Sequence, residues 1–387
     1  MNRIKVVHII TKLELGGAQE NTLFTVAHLD RSRFEPFLIS SHEGILVEEA
    51  LKLGGVKTYL LPDLVREISP LHDARAFTET VRILKEIRSS GDRNARLTVH
   101  THSSKAGIIG RWAAKTAGAE AIIHTYHGFG FNDYQPALVK WSYILLEWLT
   151  SRITQKFICV SEANREKGVA LGLFREEQAV LIRSGIDLKR FSSPQKNREE
   201  TRKELGIPLD APLATMIACF KPQKAPLDFV HVAGLVKKEM PHVRFLMVGD
   251  GILRNEIEQA RREHGVEQEL ILPSWRRDIP EILNASDCLV LTSLWEGLPR
   301  VFPQAMCLGL PVVATRVDGA TDVINDGVNG FLLPPRDCIG MAQKVLYLLK
   351  NPDRAKEMGE RGRAQVKEFD SHTMVKQQEA LYFSLLA

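Results

Sequence analysis

Short apolar, β-branched runs alternate with longer amphipathic stretches along this chain, and the rhythm is played twice. "IKVVHII", "FEPFLIS", "RLTVHTH", "AIIHTYH" and "KFICVS" read as buried strands, separated by "AQENTLFTVAHL", "DARAFTETVRILKEIRSS" and "KAGIIGRWAAKTAG", which carry helical periodicity. "PLATMIACF", "VRFLMVGDG", "ELILP", "DCLVLTS" and "PVVAT" repeat the pattern in the second half. A parallel sheet covered by helices on both faces is the arrangement that buries such strands. At 387 residues the chain exceeds one ordinary core, so two doubly wound α/β domains are expected. The polar, proline-bearing stretch "DLKRFSSPQKNREETRKELGIP" follows "AVLIRSG", the last strand of the first half. The expected domains are therefore residues 1–185 and 201–370, with a linker at 186–200 and a closing helix in 371–387 that crosses back to the first domain. Ligands of such domains sit outside the carboxyl ends of the strands, which points to the cleft between the two as the working site.

Composition narrows the partners. Charged residues make up 25% and hydrophobic ones 44%, the profile of a soluble globular protein. The formal net charge of +4 is too small for a nucleic-acid footprint. Splitting the chain after Gly185 gives 24 Lys+Arg against 20 Asp+Glu before and 27 against 27 after, so the whole excess lies in the first half. That fits an ordinary solvated surface as well as peripheral contact with an anionic membrane. Five scattered cysteines with no CxxC pair read as reduced thiols, and no apolar run is long enough to span a bilayer. A cytoplasmic protein, at most peripheral on the inner face of the membrane, is expected.

Four strand ends carry unusual residues. After the first strand, Gly16 and Gly17 precede a helix, allowing close backbone approach to an anion, although a plain tight turn would use them as well. His100 and His102 share one face of their strand, which invites a metal reading, but no cysteine or carboxylate nearby completes such a site. His127, beside Gly128 at a strand exit, is placed in the cleft. In "ACFKPQKAP", Lys221 and Lys224 occupy a proline-stiffened loop between a strand end and a helix that Pro226 opens; it is either a phosphate site or a solvated lysine turn. Gly249 and Gly251 flank Asp250 at another strand end. "LTSLWEGLPRVFPQA" then presents Glu296 after a strand, a Gly297-Leu298-Pro299 turn, and a helix carrying Gln304.

Taken together, "GGAQ", "VGDG" and "EGLPRVFPQA" resemble glycosyltransferase family 4, the retaining nucleotide-sugar transferases of GT-B fold. The resemblance runs through nearly the whole chain to the last helix, "MVKQQEALYFSLL". It implies that Lys224, matching the lysine of an R-x-x-x-x-K-G loop, meets the donor diphosphate. Glu296, first carboxylate of an E-x(7)-E motif, would contact the donor sugar. The family arginine falls on Cys219 and the second glutamate on Gln304, so Lys221 is expected to restore the missing charge and Gln304 to reach the ribose without one.

The implied reaction is transfer of a sugar from a UDP- or GDP-sugar to a hydroxyl of a saccharide or lipid-linked acceptor, in surface polysaccharide or glycolipid synthesis. His127, Lys224 and Glu296 form the expected catalytic set. Gly16, Gly17, Lys221, Gly249, Gly251, Gly297, Leu298, Pro299 and Gln304 are expected to bind donor, with neither metal nor cofactor. A sugar-nucleotide 2-epimerase and a non-catalytic nucleotide-sugar binder remain the alternatives. The aromatic segment "YQPALVKWSYILLEWLTSR" reads equally as a lipid-touching helix or a core helix.

Overall fold

The computed structural model describes residues 3–91 and 95–386, so residues 1, 2, 92–94 and 387 of the expected domains lie outside it. Two compact units divide the chain, Met1–Gly185 with Ser371–Ala387, and Ile186–Asp370. Residues assigned from sequence to a linker open the second unit, where Asp187 and Asn197 side chains accept the N–H groups of Arg190 and Glu200 to start two short helices.

The first unit is a seven-stranded parallel sheet: β1 (Ile4–Ile9), β2 (Phe34–Ser41), β3 (Lys57–Leu61), β4 (Leu97–His102), β5 (Ala121–Tyr126), β6 (Lys156–Cys159) and β7 (Ala179–Leu181). Their order is β3-β2-β1-β4-β5-β6-β7, which reverses direction between β1 and β4. Every residue of β1, β4 and β5 is buried, polar ones such as Lys5, His8, Thr98, His100, Thr101 and His102 included. One face packs Val7, Ile9 and Val99 against Ile83, Leu84 and Ala113 of the helices Pro70–Ser89 and Ser104–Ala117. The other packs Ile4, Val6 and Ile123 against Met374, Leu381 and Tyr382 of the last helix, Ser371–Leu386.

The second unit holds β8 (Leu213–Ile217), β9 (Arg244–Val248), β10 (Leu270–Ile271), β11 (Cys288–Leu291), β12 (Val312–Thr315) and β13 (Gly330–Leu333). All are parallel, in the order β10-β9-β8-β11-β12-β13, with the reversal between β8 and β11. Two strands have no counterpart in the sequence reading, β3 and β13, and both are sheet edges. Cys159, Cys288, Cys307 and Cys338 are buried thiols, and burial pushes Cys159 up to about 12, leaving it inert as a nucleophile.

Candidate active site

At the switch point of the second sheet the loops leaving β8 and β11 are tied to each other. Lys221 is extended, residues Pro222–Lys224 make a single 3-10 turn, and Pro226 then opens the helix Pro226–Glu239. Between them Ala225 sits at φ 42°, ψ 55°, a left-handed conformation costly for a residue with a Cβ. It is held there from the other loop: Thr292 Oγ1 donates to the carbonyls of Lys224 and Ala225, both at 2.9 Å. Leu294 N donates to Gln223 O at 2.8 Å, and Gln223 Nε2 to Trp295 O at 2.9 Å. This knitting aims Lys224 at Glu296, with which it forms an ion pair, and Ser293 Oγ donates to the same carboxylate oxygen at 2.6 Å. Glu296 is buried and Lys224 mostly so, which makes the pair stronger than a surface bridge and more costly to break on one side.

The β9 loop braces the arrangement. Phe220 N donates to Asp250 O at 2.8 Å, and the Asp250 carboxylate accepts from Gly251 N at 2.8 Å and Ser274 Oγ at 2.7 Å. The Ser274 hydroxyl, as the leading cause, holds the Asp250 carboxyl below its ordinary range. A Cβ on Gly249 would collide with Ala218 O, and one on Gly251 would lie 2.6 Å from Phe220 O. Both glycines have positive φ, so they let the β9 loop press on the lysine loop. Gly297, Leu298 and Pro299 are buried beneath the turn after Glu296, and Gln304 is half-buried on the helix Val301–Cys307. Thr292, Gln223 and Ser274 escaped the sequence reading, because their role depends on contacts between loops 24 to 72 residues apart, and Ser293 escaped it although it lies three residues before Glu296. A cavity of about 430 Å³ in this unit, lined by Arg198, Arg202, Pro212, Asp287 and Pro311, lies at the amino ends of β8, β11 and β12, away from these residues.

In the first unit the strand-end histidines form a hydrogen-bonded chain. Register places His8 of β1 beside His100 of β4. His8 Nδ1 lies 2.9 Å from His102 Nε2, and His102 Nδ1 lies 3.1 Å from His127 Nε2. Tyr382 Oη, from the last helix, reaches His100 Nδ1 at 2.7 Å and His8 Nε2 at 3.3 Å while donating to Gln378 Oε1 at 3.1 Å. One proton order follows. With the Tyr382 proton on Gln378, His8 carries its proton on Nε2 and accepts at Nδ1 from His102 Nε2–H, and His102 Nδ1 accepts from His127 Nε2–H. His127 is thereby set as the Nε2–H tautomer. Burial drives His8 down to about 3, and burial is also the leading cause holding His100, His102 and His124 well below the usual histidine range. His8, His100 and His102 bring ring nitrogens within 4.8 Å of one another, a grouping that reaches beyond the β4 pair picked out from sequence. Gly128 follows His127 at φ 133°, which only glycine adopts readily. Gly16 caps the helix Gly17–His28 with extended backbone, and a Cβ there would meet only the flexible Gln19 side chain.

Comparison with known proteins gives this geometry a family. The model for Glycosyltransferase Family 4 matches residues 15–190, and that for Glycosyl transferases group 1 matches residues 197–365. The UDP-Gal:alpha-D-GlcNAc-diphosphoundecaprenol alpha-1,3-galactosyltransferase of Escherichia coli is 31% identical over 339 residues, covering 87% of this chain and 85% of that protein. Among solved structures, Anabaena HepE in complex with UDP and glucose superposes with a TM-score of 0.83 at 20% identity, covering 99% of this chain and 100% of that one. Sucrose-phosphate synthase from Thermosynechococcus elongatus gives 0.82 at 20% identity, with 99% of each chain covered. Two parallel-sheet units with these structural neighbours have the GT-B fold. The chain belongs to glycosyltransferase family 4.

Proposed function

We propose that this protein transfers a hexose from a UDP-sugar, with retention at the anomeric carbon and without a metal ion, to a hydroxyl of a lipid-linked saccharide on the cytoplasmic membrane face. The observation that carries the reading is the Lys224–Glu296 pair, held at adjacent strand ends beside the first turn of a fourteen-residue helix. Lys224 and the positive end of that helix's dipole supply positive potential where a departing diphosphate gathers charge. Glu296 keeps the ammonium aimed before donor arrives and then accepts hydroxyl protons of the sugar. Lys221 joins on the second phosphate, and Gln304 hydrogen-bonds the ribose. Gly16 and Gly17 admit the donor from the first unit, and His127, held as one tautomer, lines the acceptor side. The bond from C1 to the diphosphate oxygen breaks as the bond to the acceptor oxygen forms on the same face, and the acceptor proton passes to the leaving phosphate.

Retention is supported by the Escherichia coli relative, which builds an alpha-1,3 linkage from UDP-Gal. That donor is itself an α-glycoside. The lipid diphosphate acceptor named for the same relative supports the acceptor class.

Donor binding gives the first test. A UDP-hexose at 100 times its Kd should stabilise the protein by about 2.7 kcal/mol in thermal unfolding. Gln304→Ala should weaken that binding by roughly 0.5–1.5 kcal/mol, the size of one neutral hydrogen bond, with kcat nearly unchanged. No stabilisation by any nucleotide sugar would refute the reading, and a collapse of kcat alone in Gln304→Ala would refute the ribose role.

A further inference from the structure

The helix Ala137–Ser151 is folded inside out. Its inward side is polar: Glu147, Thr150 and Ser151 are buried there, with Ile144 the one buried aliphatic residue. Glu147 accepts from Arg111 Nη2 at 2.7 Å and from Tyr126 Oη at 2.8 Å, and Thr150 Oγ1 accepts from Trp112 Nε1 at 3.1 Å. The outward side is apolar. Leu138 is 83% exposed, Trp141 60% and Leu145 55%, and Leu146, Trp148 and Leu149 are exposed with them. These positions recur at helical spacing and make one continuous stripe. A soluble surface seldom carries two tryptophans and four leucines on a single helix face, so something covers this one.

Charge indicates what. Between residues 134 and 156 the one carboxylate is Glu147, buried against Arg111, while Asp133, just before the helix, is exposed and pairs with Lys140 at 2.6 Å. Arg152 borders the stripe, its guanidinium 4.4 Å from the Trp148 ring centroid, and Lys140 lies on the same helix. An apolar stripe with tryptophans, carrying no carboxylate of its own and flanked in sequence by Lys140 and Arg152, matches the boundary between anionic headgroups and acyl chains. A second copy of the chain is a poorer fit. One helix about 22 Å long offers less than the roughly 800 Å² per partner of a standard interface. Among the described residues no helix is long and apolar enough to cross a membrane.

We infer that the outward face of this helix docks the first unit on an anionic bilayer, lying in the interface plane with Trp141 and Trp148 at headgroup depth. The inference rests on the reading of a lipid-linked acceptor, because docking brings the enzyme to the surface that holds such an acceptor.

Vesicle flotation of the full chain tests it. Phosphatidylcholine vesicles containing phosphatidylglycerol should carry the wild-type protein upward, and pure phosphatidylcholine vesicles should carry distinctly less. Leu138→Ser, Trp141→Ser and Leu145→Ser together should reduce partitioning at least tenfold, while transfer to a water-soluble acceptor and the melting temperature stay at wild-type values. Equal flotation of the triple variant and the wild type would overturn the inference. So would a wild-type dimer in light scattering that the triple variant dissolves without any vesicle binding, since a second copy would then own the face. Flotation needs no catalysis: a protein that floats but transfers no sugar refutes the transferase reading alone, and one that transfers to soluble acceptor without floating refutes the docking alone.

Discussion

Replacing Lys224 by alanine is expected to lower kcat by about 10²- to 10³-fold, the usual loss when one preorganised group facing developing charge is removed. The effect belongs in kcat because the ammonium–phosphate attraction grows as the C1–oxygen bond breaks. Lys224→Ala also leaves Glu296 buried beside Ser293 without its cation, so some stability is lost as well. Donor-saturated kinetics below the melting transition separate the two. If Lys224 only braced the loop, the melting temperature would fall and kcat of the folded fraction would not. Lys221→Ala should act in the same sense but less severely, and the double variant should be non-additive because both lysines face one diphosphate. Turnover near wild type in Lys221→Ala would leave the charge missing at Cys219 without a substitute, and Cys219→Arg in that background would then bring no rescue.

Acid should unfold the first unit over a narrow window. Four buried imidazoles, His8, His100, His102 and His124, stay neutral in the folded state far below the 6.5 of an exposed histidine. For a base whose folded pKa is depressed, nothing is lost above the unfolded pKa. Below it the unfolded chain binds protons that the folded chain refuses, so stability falls as pH drops from 6.5 toward the folded value, about 3 for His8. Each such group costs up to about 1.4 kcal/mol per pH unit, so His8 alone amounts to about 2 kcal/mol by pH 5, and His100, His102 and His124 add in the same direction against a domain's marginal stability. Unfolding followed by tyrosine and tryptophan fluorescence should therefore show uptake of several protons between pH 6.5 and 5. A stability that stays level across that window would mean that these rings are not held neutral together.

The fold was legible because buried parallel strands are read largely by content, and β1, β5, β8, β9, β11 and β12 stand out as mostly apolar runs, while β4 shows only Leu97 and Val99 among threonines and histidines. β3 did not: Lys57–Leu61 is mostly half-exposed, so its apolar residues do not form a run. β13 is four residues long and starts at a glycine, which weakens any strand signal. The helix Ala137–Ser151 shows a different limit. Helical spacing separates a polar face from an apolar one without saying which face turns inward, and only the Arg111–Glu147 pair reveals that the polar one does. Site chemistry was partly visible in the same way. His100 and His102 share a face by spacing alone, whereas His8 and Tyr382 join them through sheet register and a helix 282 residues further on. That Lys224 meets Glu296 across 72 residues follows from no local pattern. The sequence marks Lys224 and Glu296 separately, each at its own strand end, and does not pair them.

The most direct measurement of the central claim is the anomeric configuration of the first product, read by proton NMR. A UDP-α-hexose and a lipid-diphosphate saccharide acceptor would be incubated with the enzyme in excess EDTA. An α-glycoside, formed at an undiminished rate in chelator, is the expected result, since the proposed mechanism sets lysines and a helix N-terminus, not a metal, against the leaving diphosphate. A β-glycoside, or activity lost in EDTA and restored by Mg²⁺ or Mn²⁺, would contradict the account.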